Sequence, residues 1–149
     1  MTGKARLIGI NHVALEVGDV DEALELYGRL FDFELRGRVP GMAFIDMGDQ
    51  FLALGTSGAT GEPDAGRHFG LVVDDPEAVR DAVQREGLEV LPSMGSGLGF
   101  RDPWGNRFEI VEYGEVQFER SPGVKRALGI EDLEKSEAAR GEIADKGLA

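Results

Sequence analysis

The chain has 149 residues, 42% of them hydrophobic, with 16 Lys and Arg against 28 Asp and Glu, two His and no Cys. A net charge of −12 leaves too few cations to neutralise a phosphate backbone, which argues against nucleic acid as a partner. The lack of Cys removes disulfides, thiolate metal sites and cysteine nucleophiles. No apolar run of signal-peptide or membrane-spanning length is present, so the expectation is a soluble, cytoplasmic protein with no membrane partner.

In chain order, residues 6–17 predict a strand whose end alternates, with Val13, Leu15 and Val17 on one face and His12, Ala14 and Glu16 on the other. Asp19 followed by Glu22 has the capping-box pattern of a helix start, with Asp in place of Ser or Thr. Ala23, Leu24, Tyr27, Leu30 and Phe31 recur at helical spacing as its buried stripe. Residues 33–54 hold short apolar runs between Gly37, Gly41 and Gly48, which predicts three strands. A second βαβββ unit follows a Gly-rich linker at 56–66. It has a strand with Phe69, Leu71 and Val73 inward and a helix with the stripe Ala78, Val79, Ala82 and Val83, closed by Gly87. Strands are then expected at 89–91, 98–101 and 107–113. Beyond the second unit, Ser121-Pro122 and Gly129 bracket a short helix, and 131–146 predicts another. This helical C-terminal tail reads as a packing or dimer arm without chemistry.

The two units repeat each other. His12-Val-Ala-Leu-Glu-Val17 matches His68-Phe-Gly-Leu-Val-Val73, Asp19-Val-Asp-Glu-Ala-Leu24 matches Asp74-Asp-Pro-Glu-Ala-Val79, and Gly48-Asp-Gln-Phe51 matches Gly105-Asn-Arg-Phe108. Both histidines of the chain stand at equivalent positions, which chance gives about once in fifty. With the apolar face on the helices, His12 and His68 point the other way, beside the small Ala14 and Gly70. Phe108 and Ile110 take the helix side of the last strand, so Glu109 joins the histidine face. Two imidazoles and a carboxylate are the donors of a divalent metal site with open positions. Such a site suits a small-molecule substrate with adjacent oxygens, whose developing negative charge the metal stabilises. Glu16 is the candidate general base, Tyr113 a hydrogen-bond donor on the Glu109 face, and Arg101 a partner for a substrate carboxylate.

Asn11-His12-Val13-Ala14-Leu15, Arg67-His68-Phe69-Gly70-Leu71 and Arg101-Asp-Pro-Trp-Gly-Asn-Arg-Phe-Glu-Ile110 resemble the vicinal oxygen chelate superfamily, which includes glyoxalase I, methylmalonyl-CoA epimerase, fosfomycin-resistance enzymes, extradiol dioxygenases and bleomycin-binding proteins. The resemblance implies an α+β fold in which two βαβββ units form a curved, mixed eight-stranded sheet around a cup. It implies a domain over 1–118, with unit one at about 6–55 and unit two at about 67–116, and a helical extension over 119–149. His12, His68 and Glu109 are the implied ligands of a divalent metal (Fe, Mn, Ni, Co or Zn), and a homodimer is the implied assembly. Glyoxalase I and the epimerase add a fourth ligand in the last strand of the first unit. Here the repeat alignment puts Leu52 there, or Ala53 on a one-residue shift. The fosfomycin enzymes carry Thr where this chain has Ala14, and a cation-binding loop that Ser93-Met-Gly-Ser-Gly97 loosely matches. The expected function is that of a metal-dependent lyase, isomerase or dioxygenase; the competing one is a bleomycin-like small-molecule binding or resistance protein.

Overall fold

The computed structural model describes residues 12–48, 50–56, 68–92 and 97–148. The linker at 57–66 and most of the 93–97 loop lie outside the described residues, as does the predicted strand before His12. Each unit has the expected βαβββ order. Unit one contains β1 (His12–Glu16), α1 (Val20–Leu30), β2 (Leu35–Val39), β3 (Met42–Asp46) and β4 (Phe51–Gly55). Unit two contains β5 (Phe69–Val73), α2 (Pro76–Arg85), β6 (Val90–Leu91), β7 (Leu98–Arg101) and β8 (Arg107–Glu112). The eight strands divide into two mixed four-stranded sheets of the same topology, β1-β4-β3-β2 and β5-β8-β7-β6. In each, the first strand runs parallel to the last and the other neighbours are antiparallel.

Local chemistry sets the helix ends. Asp19 and Asp75 are extended N-caps whose side chains accept from the Glu22 and Ala78 amides at 2.9 and 3.1 Å, satisfying donors that have no partner inside the helix. Pro76 opens α2, where its missing N–H costs nothing. Gly87 stops α2 at a left-handed φ of 68°, and the Leu88 amide turns back onto the Val83 carbonyl. The inward stripes are Val20, Ala23, Leu26, Tyr27 and Leu30 on α1, and Val79, Ala82 and Val83 on α2. They share one apolar cluster with Leu15, Leu54, Leu98, Phe100, Phe108 and Ile110, so both units bury their helix-side faces together. Burial of each Val, Leu, Ile or Phe side chain among them stabilises the fold by about 1.5–3 kcal/mol.

A polar lock joins the units. Asp102, 5% exposed, sits in the turn between β7 and β8. It accepts from the Tyr27 hydroxyl at 2.5 Å, from the Trp104 and Asn106 amides at 3.0 and 2.9 Å, and from Asn106 Nδ2 at 2.8 Å. Asn106 Nδ2 also reaches the Glu16 carbonyl at 3.0 Å. Trp104 lies so close to Gly18 that a Cβ there would overlap the indole. The Asp-Pro-Trp-Gly-Asn turn of unit two is therefore plugged onto α1 and the end of β1 in unit one.

The tail carries α3 (Pro122–Leu128) and α4 (Glu137–Asp145). Ser121 caps α3 and Gly129 ends it at a φ of 68°. The second tail helix is shorter than the predicted 131–146. Ser136 caps it, and the backbone before it leaves helical geometry so that the Ser136 amide can donate to the Gly114 carbonyl at 2.8 Å. Lys135 is buried with its ammonium on the carbonyls of Tyr113, Val116 and Phe118 at 2.5, 2.9 and 2.6 Å, above the Tyr113 ring. Arg120 reaches across to unit one, donating to the Met47 carbonyl at 2.9 Å and to Gln50 Oε1 at 3.2 Å. The tail is thus pinned to both units. No helix among the described residues is long and apolar enough to cross a membrane.

Candidate functional site

Alternation puts the expected side chains on the outer faces. Along β1, Leu15 and Val17 are buried while His12, Ala14 and Glu16 are exposed; His68 and Gly70 are exposed at the start of β5. On β8, Phe108 and Ile110 are fully buried and Glu109 points the other way, opposite Gly70 on β5 and Gly99 on β7.

The two outer faces differ chemically. On sheet one the His12 ring stacks on Phe51 at 4.7 Å and 11°, Phe51 meets the edge of Phe44 at 5.9 Å, and the Arg36 guanidinium lies over Phe51 at 4.9 Å. Met42 and Val39, paired across β3 and β2, extend this face as exposed apolar side chains. On sheet two the same side carries charge. Arg107 and Glu109 share a face of β8, with Arg101 paired opposite Arg107 on β7. Arg107 Nη2 stands 3.5 Å from Glu109 Oε1 and donates to the Pro92 carbonyl at 2.8 Å. Arg107 Nε is buried and has no hydrogen-bond partner among the described residues. An unpaired buried donor costs about 1–3 kcal/mol.

Strand register decides between the two candidates for a fourth ligand. Glu109 pairs with Gly70, and the repeat equivalent of Gly70 is Ala14, which pairs with Ala53. Ala53 therefore stands in unit one where Glu109 stands in unit two, while Leu52 faces the core at 4% exposure. Neither side chain can coordinate a metal.

The three expected ligands sit on the right faces but are not gathered within one chain. Among the described residues no group of three or more His, Asp or Glu side chains is arranged to hold a metal ion. The donor chemistry of His12, His68 and Glu109 suits a divalent cation; their arrangement in a single chain does not. His12 and His68 border one cavity of about 870 Å³, whose far wall is built by the tail through Phe118, Arg120, Ile130 and Leu133. Tyr113 lines this cavity; Glu109, Glu16 and Arg101 do not. Glu16 ends β1, four residues and about 13 Å from His12 along the strand. Arg101 donates to the Gly105 carbonyl at 3.0 Å and so braces the turn that holds Asp102.

Tyr113 departs from the expected strand. β8 ends at Glu112 and Tyr113 opens a 3₁₀ turn, which takes it off the Glu109 face. Its hydroxyl donates to Glu119 Oε1 at 2.5 Å. Burial, then the Glu119 hydrogen bond, pushes this phenol up to about 12 from an ordinary 10.0. Tyr27 is pushed up too, by burial first and then by the charge and hydrogen bond of Asp102. Both folded values lie above the unfolded one, so the stability they contribute is complete below pH 10 and is lost as pH rises through the folded values. Urea unfolding is expected to show a constant contribution up to about pH 9 and a falling midpoint between pH 10 and 12. Tyr27→Phe, already less stable at pH 8, then loses less over that interval; an equal loss in both proteins contradicts the assignment.

Side chains that the sequence reading did not single out are Arg107, Lys135 and the Asp102 hub. Arg107 had a usable signal, since it stands two residues before Glu109 on the same strand. Lys135 had none.

The model of the Glyoxalase/Bleomycin resistance protein/Dioxygenase superfamily matches residues 9–110. Among curated proteins none matches the chain in sequence. The fold is similar to that of the fosfomycin resistance protein FosX from Listeria monocytogenes, solved with Mn(II) and sulfate ion, at 15% identity and a TM-score of 0.61, covering 72% of this chain and 91% of that one. FosX from Mesorhizobium loti gives 21% identity and a TM-score of 0.58, over 70% and 92% of the two chains. Lactoylglutathione lyase from Agrobacterium tumefaciens gives 24% and 0.56, over 72% and 96%. These likenesses show a shared fold, and the family match spans most of the chain. With two βαβββ units, a histidine opening each first strand and a carboxylate on the last, the chain belongs to the glyoxalase, bleomycin resistance protein and dioxygenase superfamily.

Proposed function

We propose that this protein is a metal-dependent enzyme of the glyoxalase or dioxygenase type, acting on a small substrate with adjacent oxygens. We further propose that His12, His68 and Glu109 are its metal ligands, brought together when two copies of the chain pair. The observation that carries this is the placement of both histidines at equivalent, exposed positions on the outer faces of the two sheets. The aromatic face carries the exposed His12, the charged face carries the exposed His68 and the buried Glu109 (6% exposed), and a two-fold pairing would set one face against the other twice. A Fe, Mn, Ni, Co or Zn ion bound by such ligands supplies Lewis-acid or redox chemistry. Glu16 lies too far along β1 to touch a group held at His12 of the same chain, so a role as base requires a substrate that extends along the strand. Arg101 stays a candidate for a substrate carboxylate, on the Glu109 face.

The test is metal content and its complementation. Protein purified without chelator is expected to hold about one transition-metal ion per chain, and His12→Ala and His68→Ala are each expected to lose it. Mixing the two variants under conditions that exchange subunits regenerates one intact site per mixed dimer, because His12 comes from one chain and His68 from the other. No recovery on mixing overturns the shared site. Less than about a tenth of an equivalent of any transition metal, unchanged by either variant, overturns the enzyme reading. That result favours the second reading, a non-catalytic binding or resistance protein, which the lack of such a ligand group among the described residues of one chain supports.

A further inference from the structure

We infer that Arg107 is a recognition residue for an oxyanion on the ligand, so that the small molecule taken by this protein carries a carboxylate or phosphate group. The inference rests on the reading that the ligand is held on the face bearing His68 and Glu109. Arg107 belongs to that face by strand alternation and confirms it by contact, with Nη2 3.5 Å from Glu109 Oε1. Its side chain is only 12% exposed, and Glu109 is its one ion-pair partner among the described residues. At 3.5 Å that pair is longer than a charge-assisted hydrogen bond, which closes to 2.7–2.9 Å. One Nη2 hydrogen is used by the Pro92 carbonyl, and Nε has no acceptor among the described residues. A guanidinium offers five donors in a fixed fork that matches carboxylate and phosphate oxygens. Arg107 is therefore a nearly dry cation with an unused donor, and a second cation, Arg101, is paired opposite it on β7.

The surroundings leave room for the missing acceptor. The neighbours of Glu109 on both adjacent strands are glycines: Gly70 faces open space, and a Cβ at Gly99 would stand 3.5 Å from Glu109 Oε1. A side chain at Gly70 would stand beside Glu109, while one at Gly99 would also meet the Leu91 and Pro92 carbonyls at 3.4 Å. Nε is buried in this arrangement, so an oxyanion reaches it only if the terminal side-chain angles turn, a movement that also gives up the Nη2 bond to the Pro92 carbonyl. The net gain comes from Nε, which has no acceptor to lose among the described residues.

The test uses the full chain and two probes, inorganic phosphate and oxalate. The Arg107 Nε–H signal, assigned by its disappearance in Arg107→Lys, is followed by ¹H–¹⁵N NMR. A saturable shift with one of the probes is expected, and the tighter probe identifies the oxyanion as phosphate or carboxylate. Arg107→Lys keeps the charge and loses the fork, and should weaken that probe, measured by isothermal titration calorimetry of all three proteins, by about tenfold or more. Arg107→Gln should abolish the calorimetric binding, and thermal melts of both variants establish that they fold. An Nε–H signal that stays still with both probes, or an equal dissociation constant in Arg107→Lys, overturns the inference. The outcome is separable from that of the metal reading. A shift at Arg107 in protein that retains no metal leaves this inference standing alone; retained metal with a silent Arg107 does the reverse.

Discussion

Asp102→Ala is expected to lower stability by about 4 kcal/mol, roughly 12 °C in melting temperature for a chain of this size. The size follows from what the carboxylate does. It is buried and accepts four hydrogen bonds, from the Tyr27 hydroxyl, two amides of its own turn and Asn106 Nδ2. Alanine leaves those donors facing an apolar gap between α1 and the turn before β8, which is the costly half of the hydrogen-bond balance. The loss is also cooperative: without Asp102 the Asn106 amide has less to hold it on the Glu16 carbonyl, and Trp104 loses the turn that seats it against Gly18. Asp102→Asn keeps the shape and part of the accepting capacity, and should fall about midway. Differential scanning calorimetry of the three proteins decides the matter. A shift below about 3 °C for Asp102→Ala would mean that the apolar cluster alone holds the units together.

The second large effect is expected at Lys135. Its ammonium satisfies three backbone carbonyls at once, all in the segment leading out of β8, and its charge lies over the Tyr113 ring. Burial holds its protonation equilibrium below the ordinary lysine value, and the Lys125 charge adds to that, while Glu119 opposes it. Lys135→Met preserves length and apolar contact but strands three acceptors, for a loss of about 3 kcal/mol. The damage should be local. The Ser136 amide bond to Gly114 goes with it, and α4 loses its anchor. Limited proteolysis is expected to cut between 116 and 136 in the variant before any cleavage within β1–β8. Simultaneous cleavage throughout the chain would show instead that the tail and the two units unfold as one.

The repeats made much of the fold legible in the sequence, and local rules did the rest. Asp19 with Glu22, Gly87, and Ser121 with Gly129 are short-range signals, and the structure places helix ends at each. Alternation fixed which face His12, His68 and Glu109 occupy, because strand period two leaves no choice once the helix side is known. Three things were not legible. Whether Leu52 or Ala53 is the counterpart of Glu109 depends on a one-residue register, which short matches cannot define but the pairing of Ala14 with Ala53 does. Tyr113 continues the alternation on paper, yet the strand stops at Glu112. The roles of Arg120 and Lys135 depend on contacts with distant backbone carbonyls, which leave no periodic trace in sequence. Gathering the three ligands is a matter of how sheets are placed relative to one another, and no face assignment can supply that.

The grip of Arg120 on unit one also sets a timetable. The Met47 carbonyl and Gln50 side chain belong to the hairpin between β3 and β4, while their guanidinium partner lies 73 and 70 residues later in the chain. At a synthesis rate of about 5–20 residues per second, roughly 4–15 s separate the appearance of the hairpin from that of the residue that completes it. Unit one therefore leaves the ribosome able to pair its strands but with this end of the sheet still unfastened. A residue made late thus fastens a hairpin made long before it.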